Sequence, residues 1–323
     1  MPAIDSLGDT VSYISLNDGY SEIWLIRSDG RENRLLTPIK GNISKMKWSP
    51  NGLVIAFIAN QGSDKIFRIS KYGGVITPVS RAFDAIEQFV WLDDEWILHD
   101  GYENGKWGVY LSKTDRVYVR LSSFDIDAKH PNLLKEGSLV AMSAKYSEGY
   151  KIILYNLTSG SWTPITFGSG DDLKPAFSPD GKKIAYLSNR AGRWSIWLKN
   201  IDTDSEIDLT APFSERRYPS WAPDVDLNTT LIWKPDSQHL IFDGKRGNSR
   251  EIYIINLSGG TVTLRFAVKE YFPLTLNVIF ESVSSYNPVI DPRGESIYFE
   301  NRGEGASSVW RLDLNVKRAL SYG

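Results

Sequence analysis

The chain has 323 residues, and 37 Lys and Arg stand against 39 Asp and Glu for a formal net charge of −2. The two signs are interspersed, which excludes the basic stripe a nucleic-acid partner demands, and no apolar run approaches the roughly 18–20 residues that cross a bilayer. With no cysteine, disulfides and thiolate chemistry are excluded as well.

The opening MPAIDSLGD has neither the basic region nor the apolar core of a secretion signal. Short strands are predicted over 11–14, 22–25 and 34–37, with an innermost partner near Ala3-Ile-Asp5 that has only a few residues to form in. The second repeat is regular. Lys45-Met-Lys-Trp48 runs into the turn Ser49-Pro-Asn-Gly52, and strands follow at 54–57 and 65–68. The third and fourth repeats lose the proline turn but keep the phase, with Trp91-Leu-Asp-Asp-Glu95 and Leu134-Lys-Glu-Gly137 in its place.

The fifth repeat is the clean copy: Pro175-Ala-Phe177, the turn Ser178-Pro-Asp-Gly181, strands at 184–187 and 195–198, and a fourth at 206–209. Pro179 presets φ, and Gly181 accepts the φ > 0 that closes the hairpin. A lone four-stranded sheet cannot bury both faces, so it needs copies. Anchored on the third strand these are Ile23, Ile66, Val109, Ile152, Ile196, Ile252 and Val309, spaced 43, 43, 43, 44, 56 and 57 residues apart.

A period in the low forties with four strands per repeat predicts an all-β protein: a single β-propeller of four-stranded antiparallel blades, seven rather than six. The expected repeats are 1–40, 41–81, 82–124, 125–168, 169–211, 212–267 and 268–323 of one domain. The two long spacings are insertions at 211–230 and 268–285, both between the outer strand of one blade and the inner strand of the next. In a propeller those connections open onto one face, where loops bind.

The repeat resembles the TolB-type propeller repeat, found also in the propeller domains of prolyl-oligopeptidase-like and tricorn-type proteases. The residues that carry the resemblance are Phe177-Ser-Pro-Asp-Gly181, Ile184-Ala-Tyr186, Ser188-Asn-Arg190, Gly192 and Ile196-Trp197. Trp48-Ser-Pro-Asn-Gly52, Ile55-Ala-Phe57 and Asn301-Arg302 echo them. The resemblance covers the chain as a repeat type, specifies fold better than function, and implies a rigid scaffold whose faces bind protein or peptide. It also implies a periplasmic or extracytoplasmic setting, or attachment to a catalytic domain.

No Gly-x-Ser-x-Gly elbow of an attached hydrolase is present. His99 and His239 read as strand residues with a hydrogen bond, whereas His130, before Pro131, stands near the channel mouth. No two histidines have the spacing of zinc ligands on one strand, and neither metal nor cofactor is expected. Asp125, Asp127, His130, Asp171 and Asp172 are the channel-mouth candidates, since converging carboxylates would suit a cation or acid–base work. Arg190 and Arg302 repeat at one turn position, which predicts bonds between blades.

The binding candidates break the repeat inside the insertions: Arg216, Arg217, Tyr218, Trp221, Tyr271 and Phe272. Arginine flanked by aromatics is the composition of interface hot spots. The sequence therefore predicts a non-catalytic, monomeric scaffold for a protein or peptide partner. The alternatives are the substrate-gating propeller of a larger peptidase and a stand-alone lyase or glycan-binding propeller with a channel-mouth site.

Overall fold

The computed structural model describes residues 1–323 apart from 18, 124, 135–136, 211–223, 247–248, 258–262, 267–283, 304–305, 315–317 and 323. Seven four-stranded antiparallel sheets follow one another, each with its strands in sequential order. They are the seven blades of an all-β propeller, and the described residues contain no helix.

The blades fall into two compact units, Met1–Phe167 and Gly168–Gly323. The first unit carries four blades. Blade one is β1 Ala3–Ile4, β2 Thr10–Asn17, β3 Tyr20–Arg27 and β4 Arg34–Lys40; blade two is β5 Asn42–Trp48, β6 Val54–Asn60, β7 Asp64–Ser70 and β8 Thr77–Pro78. Blade three is β9 Phe89–Trp91, β10 Ile97–Glu103, β11 Lys106–Ser112 and β12 Tyr118–Arg120; blade four is β13 Ala128–Leu133, β14 Leu139–Tyr146, β15 Gly149–Asn156 and β16 Trp162–Pro164.

The second unit carries three. Blade five is β17 Asp172–Phe177, β18 Lys183–Ser188, β19 Ser195–Asn200 and β20 Glu206–Asp208. Blade six is β21 Leu231–Trp233, β22 His239–Arg246, β23 Ser249–Asn256 and β24 Thr263–Phe266, and blade seven is β25 Ser284–Ile290, β26 Ser296–Gly303, β27 Ala306–Asp313 and β28 Arg318–Tyr322.

The phase read from the sequence has a physical cause. All seven third-strand anchors are buried, none more than 4% exposed, because the third strand packs against neighbours on both faces. In four blades the anchor's backbone N–H is also bonded to a hydroxyl beyond the outer strand. Ile66 N–H reaches Ser80 Oγ at 2.9 Å, Val109 reaches Ser122 Oγ at 3.1 Å, Ile152 reaches Thr166 Oγ1 at 2.9 Å and Ile196 reaches Thr210 Oγ1 at 3.1 Å.

A second recurrent bond joins blade to blade. The indole at the end of an inner strand donates to a carbonyl of the preceding inner strand: Trp48 to Ala3 at 3.3 Å, Trp91 to Lys47 at 3.2 Å, Trp233 to Ala176 at 3.0 Å. The two-residue β1 is as short as its sequence requires, yet it pairs with β2 and holds Trp48. Its Ala3 packs with Ile23, Leu25, Met46, Ile55 and Phe57 between blades one and two. Each such apolar side chain contributes roughly 1.5–3 kcal/mol on burial.

The proline turns close as their residues dictate. Gly181 N–H bonds Ser178 C=O at 2.9 Å with Gly181 at φ 71°, while Lys183 N–H bonds Ser178 Oγ at 2.9 Å. Blade three replaces the proline with Asp93, whose Oδ1 accepts from Glu95 N–H and Trp96 N–H at 2.7 Å each. The phase survives because a carboxylate closes the turn instead.

Candidate functional site

The innermost strands of blades four, five and seven share an irregularity. β13, β17 and β25 each slip register against the next strand, between Lys129 and Asn132, Leu173 and Ala176, and Tyr286 and Val289. The extra residue sits in left-handed conformation, His130 at φ 55°, Lys174 at 54° and Asn287 at 51°. A proline follows each one. Proline has no N–H to give the ladder, so a bulge at that point leaves no donor unmet.

The bulge in blade four turns His130 into a cluster with residues of blade three. His130 Nε2 lies 2.5 Å from Glu87 Oε2, and Lys129 Nζ lies 3.5 Å from the same oxygen. Asp100, fully buried on β10, binds three backbone donors. Its Oδ1 accepts from Glu87 N–H and Gln88 N–H at 2.8 Å each, and its Oδ2 accepts from His130 N–H at 3.0 Å. One carboxylate thus ties the approach to β9, the middle of β10 and the bulge of β13.

The two acids titrate in opposite directions. Burial pushes Glu87 up, but the His130 hydrogen bond and the charges of His130 and Lys129 outweigh it and bring the carboxyl down to about 2. Burial pushes Asp100 up to about 6, against the pull of its backbone donors. His99, beside it, is pushed down to about 4 by burial.

Glu87, Asp100 and His130 each place a ligand atom within 4.8 Å of the others, the one group among the described residues close enough to share a metal ion. Two oxygens and a nitrogen suit a first-row divalent ion, but the charges run against one. Asp100 already serves three N–H groups, and Glu87 already serves His130 and Lys129. Lys45 also stands within electrostatic reach of both acids. The cluster as built is a neutralised clamp between blades.

The other predicted residues are placed differently. Within the first unit His130 meets Glu87 and Asp100, which the sequence did not single out, rather than Asp125 or Asp127. Asp125 is exposed, and Asp127 Oδ1 accepts Trp107 N–H at 3.1 Å. In the second unit Asp172 is buried and paired with Arg190 at 2.9 Å, while Asp171 N–H bonds Asn189 Oδ1 at 2.7 Å. His99 is buried between the Asp100 carbonyl and Ser112 Oγ, at 2.8 Å from each. His239 Nδ1 lies 2.8 Å from Asp236 Oδ2.

Arg190 corrects the expectation of bonds between blades. Among the described residues its partners are all in blade five: Asp172 at 2.9 Å, Glu206 at 2.5 Å, Tyr186 Oη at 3.1 Å and Ser188 Oγ at 3.1 Å. The guanidinium also stacks 4.6 Å from the Trp197 ring centroid. The turn folds Arg190 back across its own sheet, so it spans inner to outer strand instead of reaching a neighbour. The side chain of Arg302 lies outside the described residues, as do Arg216, Arg217, Tyr218, Trp221, Tyr271 and Phe272.

The described end of the first insertion is held firmly. Asp224 and Lys245 exchange backbone hydrogen bonds at 2.7 and 2.8 Å. Arg250 pairs with Asp226 at 2.7 Å and with the buried Asp243 at 2.9 Å. That connection is therefore pinned to blade six at residues 224–230.

No family model matches the chain. It is 25% identical over 235 residues to the Tol-Pal system protein TolB of Francisella tularensis, covering 69% of this chain and 54% of that protein; the chain spans about half the length of the TolB proteins it matches. It is 23% identical over 253 residues to an uncharacterized protein of Agrobacterium fabrum, covering 76% of this chain and 82% of the other. Among solved structures, TolB of Acinetobacter baumannii superposes with a TM-score of 0.59 at 16% identity over 97% of this chain and 78% of that one. A puromycin hydrolase gives 0.72 at 14% over 100% and 53%, and the oligogalacturonate lyase of Vibrio parahaemolyticus gives 0.68 at 12% over 96% and 88%. Together with the seven four-stranded blades, these likenesses support a propeller fold of the TolB type.

Proposed function

We propose that residues 1–323 work as one propeller domain, a binding scaffold without chemistry of its own. It engages a protein or peptide on the face that carries the insertions 211–230 and 268–285. The observation that carries this reading is how the ionisable groups around the His130 bulge are used. The sequence could have read His130 with nearby carboxylates as an acid–base site. Instead Asp100 serves three backbone N–H groups and Glu87 is neutralised by His130 and Lys129. Groups spent on joining blades make a rigid platform, and rigid platforms bind through their loops. The likeness to a Tol-Pal system protein supports a macromolecular partner.

The test is a capture experiment comparing the wild type with Arg216→Ala/Arg217→Ala/Tyr218→Ala after both are shown to melt alike. Loss of a specific captured protein in the variant places the interface on the insertion face. Equal capture removes that patch from the reading.

A second reading is favoured by the puromycin hydrolase, whose chain this one covers only to 53%. The propeller would then gate substrate entry to a hydrolase domain. A chain that continues past Gly323 into a nucleophile elbow decides for it. The lyase or glycan-binding reading requires Asp125, Asp127, His130 and Asp171 to converge, and in the first unit His130 is bonded to Glu87 rather than to Asp125 or Asp127.

A further inference from the structure

Beyond a register slip between Ile43 and Lys45, the strand β5 alternates from Lys45 to Trp48. Met46 and Trp48 are buried in the core shared with blade one, so Lys45 and Lys47 share the other face, turned toward blade three and partly exposed. The Lys45 ammonium donates to a neutral acceptor, Gln88 Oε1, at 3.2 Å. The Lys47 ammonium lies 5.9 Å from the centroid of the Phe89 ring. Among the described residues neither reaches a carboxylate within ion-pair distance.

The half-buried Lys129 and Lys183 and the buried Lys199 do find one. Lys129 pairs with Glu87 at 3.5 Å, Lys199 with Asp204 at 2.5 Å and Glu206 at 3.4 Å, and Lys183 with Asp180 at 3.7 Å. The two acids near Lys45 are committed elsewhere, Glu87 to His130 and Lys129, and Asp100 to backbone donors. Two cations on one strand face without a direct counter-charge each raise the cost of the other. Burial pushes both ammonium groups down, Lys47 to about 8, with the Lys45 charge adding to the effect.

We propose that Lys45 and Lys47 form an anion site that takes a single carboxylate of a bound peptide, from its C-terminus or from an acidic side chain. The inference rests on the peptide-binding reading and names the chemistry of what would bind. Two ammonium groups offer one donor to each carboxylate oxygen, and charge-assisted bonds of this kind are the strong ones. Glu87 and Asp100 lie close enough to oppose a second negative charge, which favours a carboxylate over a phosphate.

The experiment uses the full chain with its lysines labelled at Cε and follows their resonances by NMR. The ligands are sodium acetate, inorganic phosphate and three blocked or free peptides: acetyl-Gly-Gly-Ala with a free C-terminus, its amide, and acetyl-Gly-Glu-Gly amide. Ionic strength is held constant with chloride. The expected result is that acetate and the two carboxylate peptides shift the Lys45 and Lys47 resonances and move the Lys47 titration upward. The neutral amide leaves both unmoved, and phosphate acts more weakly than acetate. Which of the two acidic peptides binds more tightly identifies the source of the carboxylate.

In calorimetry Lys45→Gln/Lys47→Gln binds the better peptide about tenfold more weakly, the loss of one charge-assisted bond or more. The proposal is overturned if no carboxylate moves these two lysines in the wild type, or if the neutral amide moves them as much. Equal affinity in a folded double variant overturns it too. Capture of a protein partner that survives the double substitution but is lost in the Arg216, Arg217 and Tyr218 variant overturns the anion site and leaves the scaffold standing. The wild-type resonances decide the question even if the double variant fails to fold.

Discussion

Blades three and six place an Asp-Gly pair at the same point of the second strand, Asp100-Gly101 and Asp243-Gly244. The two carboxylates meet burial in different ways. Asp100 accepts from three backbone N–H groups and has no cation bonded to it among the described residues, and burial pushes its carboxyl up to about 6. Asp243 also accepts a backbone bond, from Thr230 at 2.7 Å, but it faces the Arg250 guanidinium as well. Burial pushes Asp243 up and Arg250 pulls it back. The same position is thus a carboxyl held by backbone donors in one blade and an ion pair in another. A buried acid can be held by hydrogen bonds alone, at the cost of its charge at mildly acidic pH.

The comparison predicts unequal costs. Arg250→Met should be the most damaging change, because it leaves Asp243 buried without its partner and releases Asp226. A loss of about 3–5 kcal/mol is expected from chemical denaturation. Asp100→Ala should cost less, about 2–3 kcal/mol, since the orphans it leaves are neutral N–H groups rather than a charge. If the two losses come out reversed, the carboxyl held by backbone donors is the stronger device and the comparison is wrong.

A pH series sharpens the contrast. The folded Asp100 pKa is raised from 3.8 to about 6, so its stability contribution is present at low pH and is lost as pH rises through about 6. The folded His99 pKa is lowered from 6.5 to about 4, so its contribution is present above 6.5 and lost as pH falls through about 4. The two residues are adjacent and their slopes oppose each other over the same window. In the wild type these two contributions should therefore nearly cancel between pH 4 and 6.5. His99→Gln removes one arm, and the Asp100 contribution should then add about 2 kcal/mol on acidification from pH 6.5 to 4. A flat profile in the variant would show that Asp100 does not titrate there.

The smallest effect is expected at the exposed Arg31–Asp29 pair, whose atoms lie 2.6 Å apart. Solvent screens such pairs, and Arg31→Ala should leave the melting temperature unchanged within error.

The architecture was legible because it repeats. Ile23, Ile66 and Val109 are buried for one reason in each blade, so a fixed spacing had to persist. His130 stood out because proline follows it. Glu87 and Asp100 did not stand out, since the first lies in a connection and the second in the apolar run Ile97-Leu-His-Asp-Gly101, where it reads as an interruption. The cluster they form joins residues 43 and 30 positions apart, and no local pattern encodes that meeting. The recurrence of Asp-Gly at 100–101 and 243–244 was the available clue. Arg190 was misread for a related reason: its repetition with Arg302 marks an equivalent place in the fold, but not which way the side chain turns.

The left-handed residue before each inner-strand proline has a consequence for how such a protein diversifies. The bulge is specified by the proline and the backbone, and it accepts His130, Lys174 or Asn287 without change of geometry. Each side chain then does separate work. His130 bonds Glu87, Lys174 bonds the Leu227 carbonyl, and Asn287 bonds Glu300 at 3.3 Å. The position is an interchangeable socket, in which one or two nucleotide changes can swap base, cation or amide while the blade around it keeps its shape.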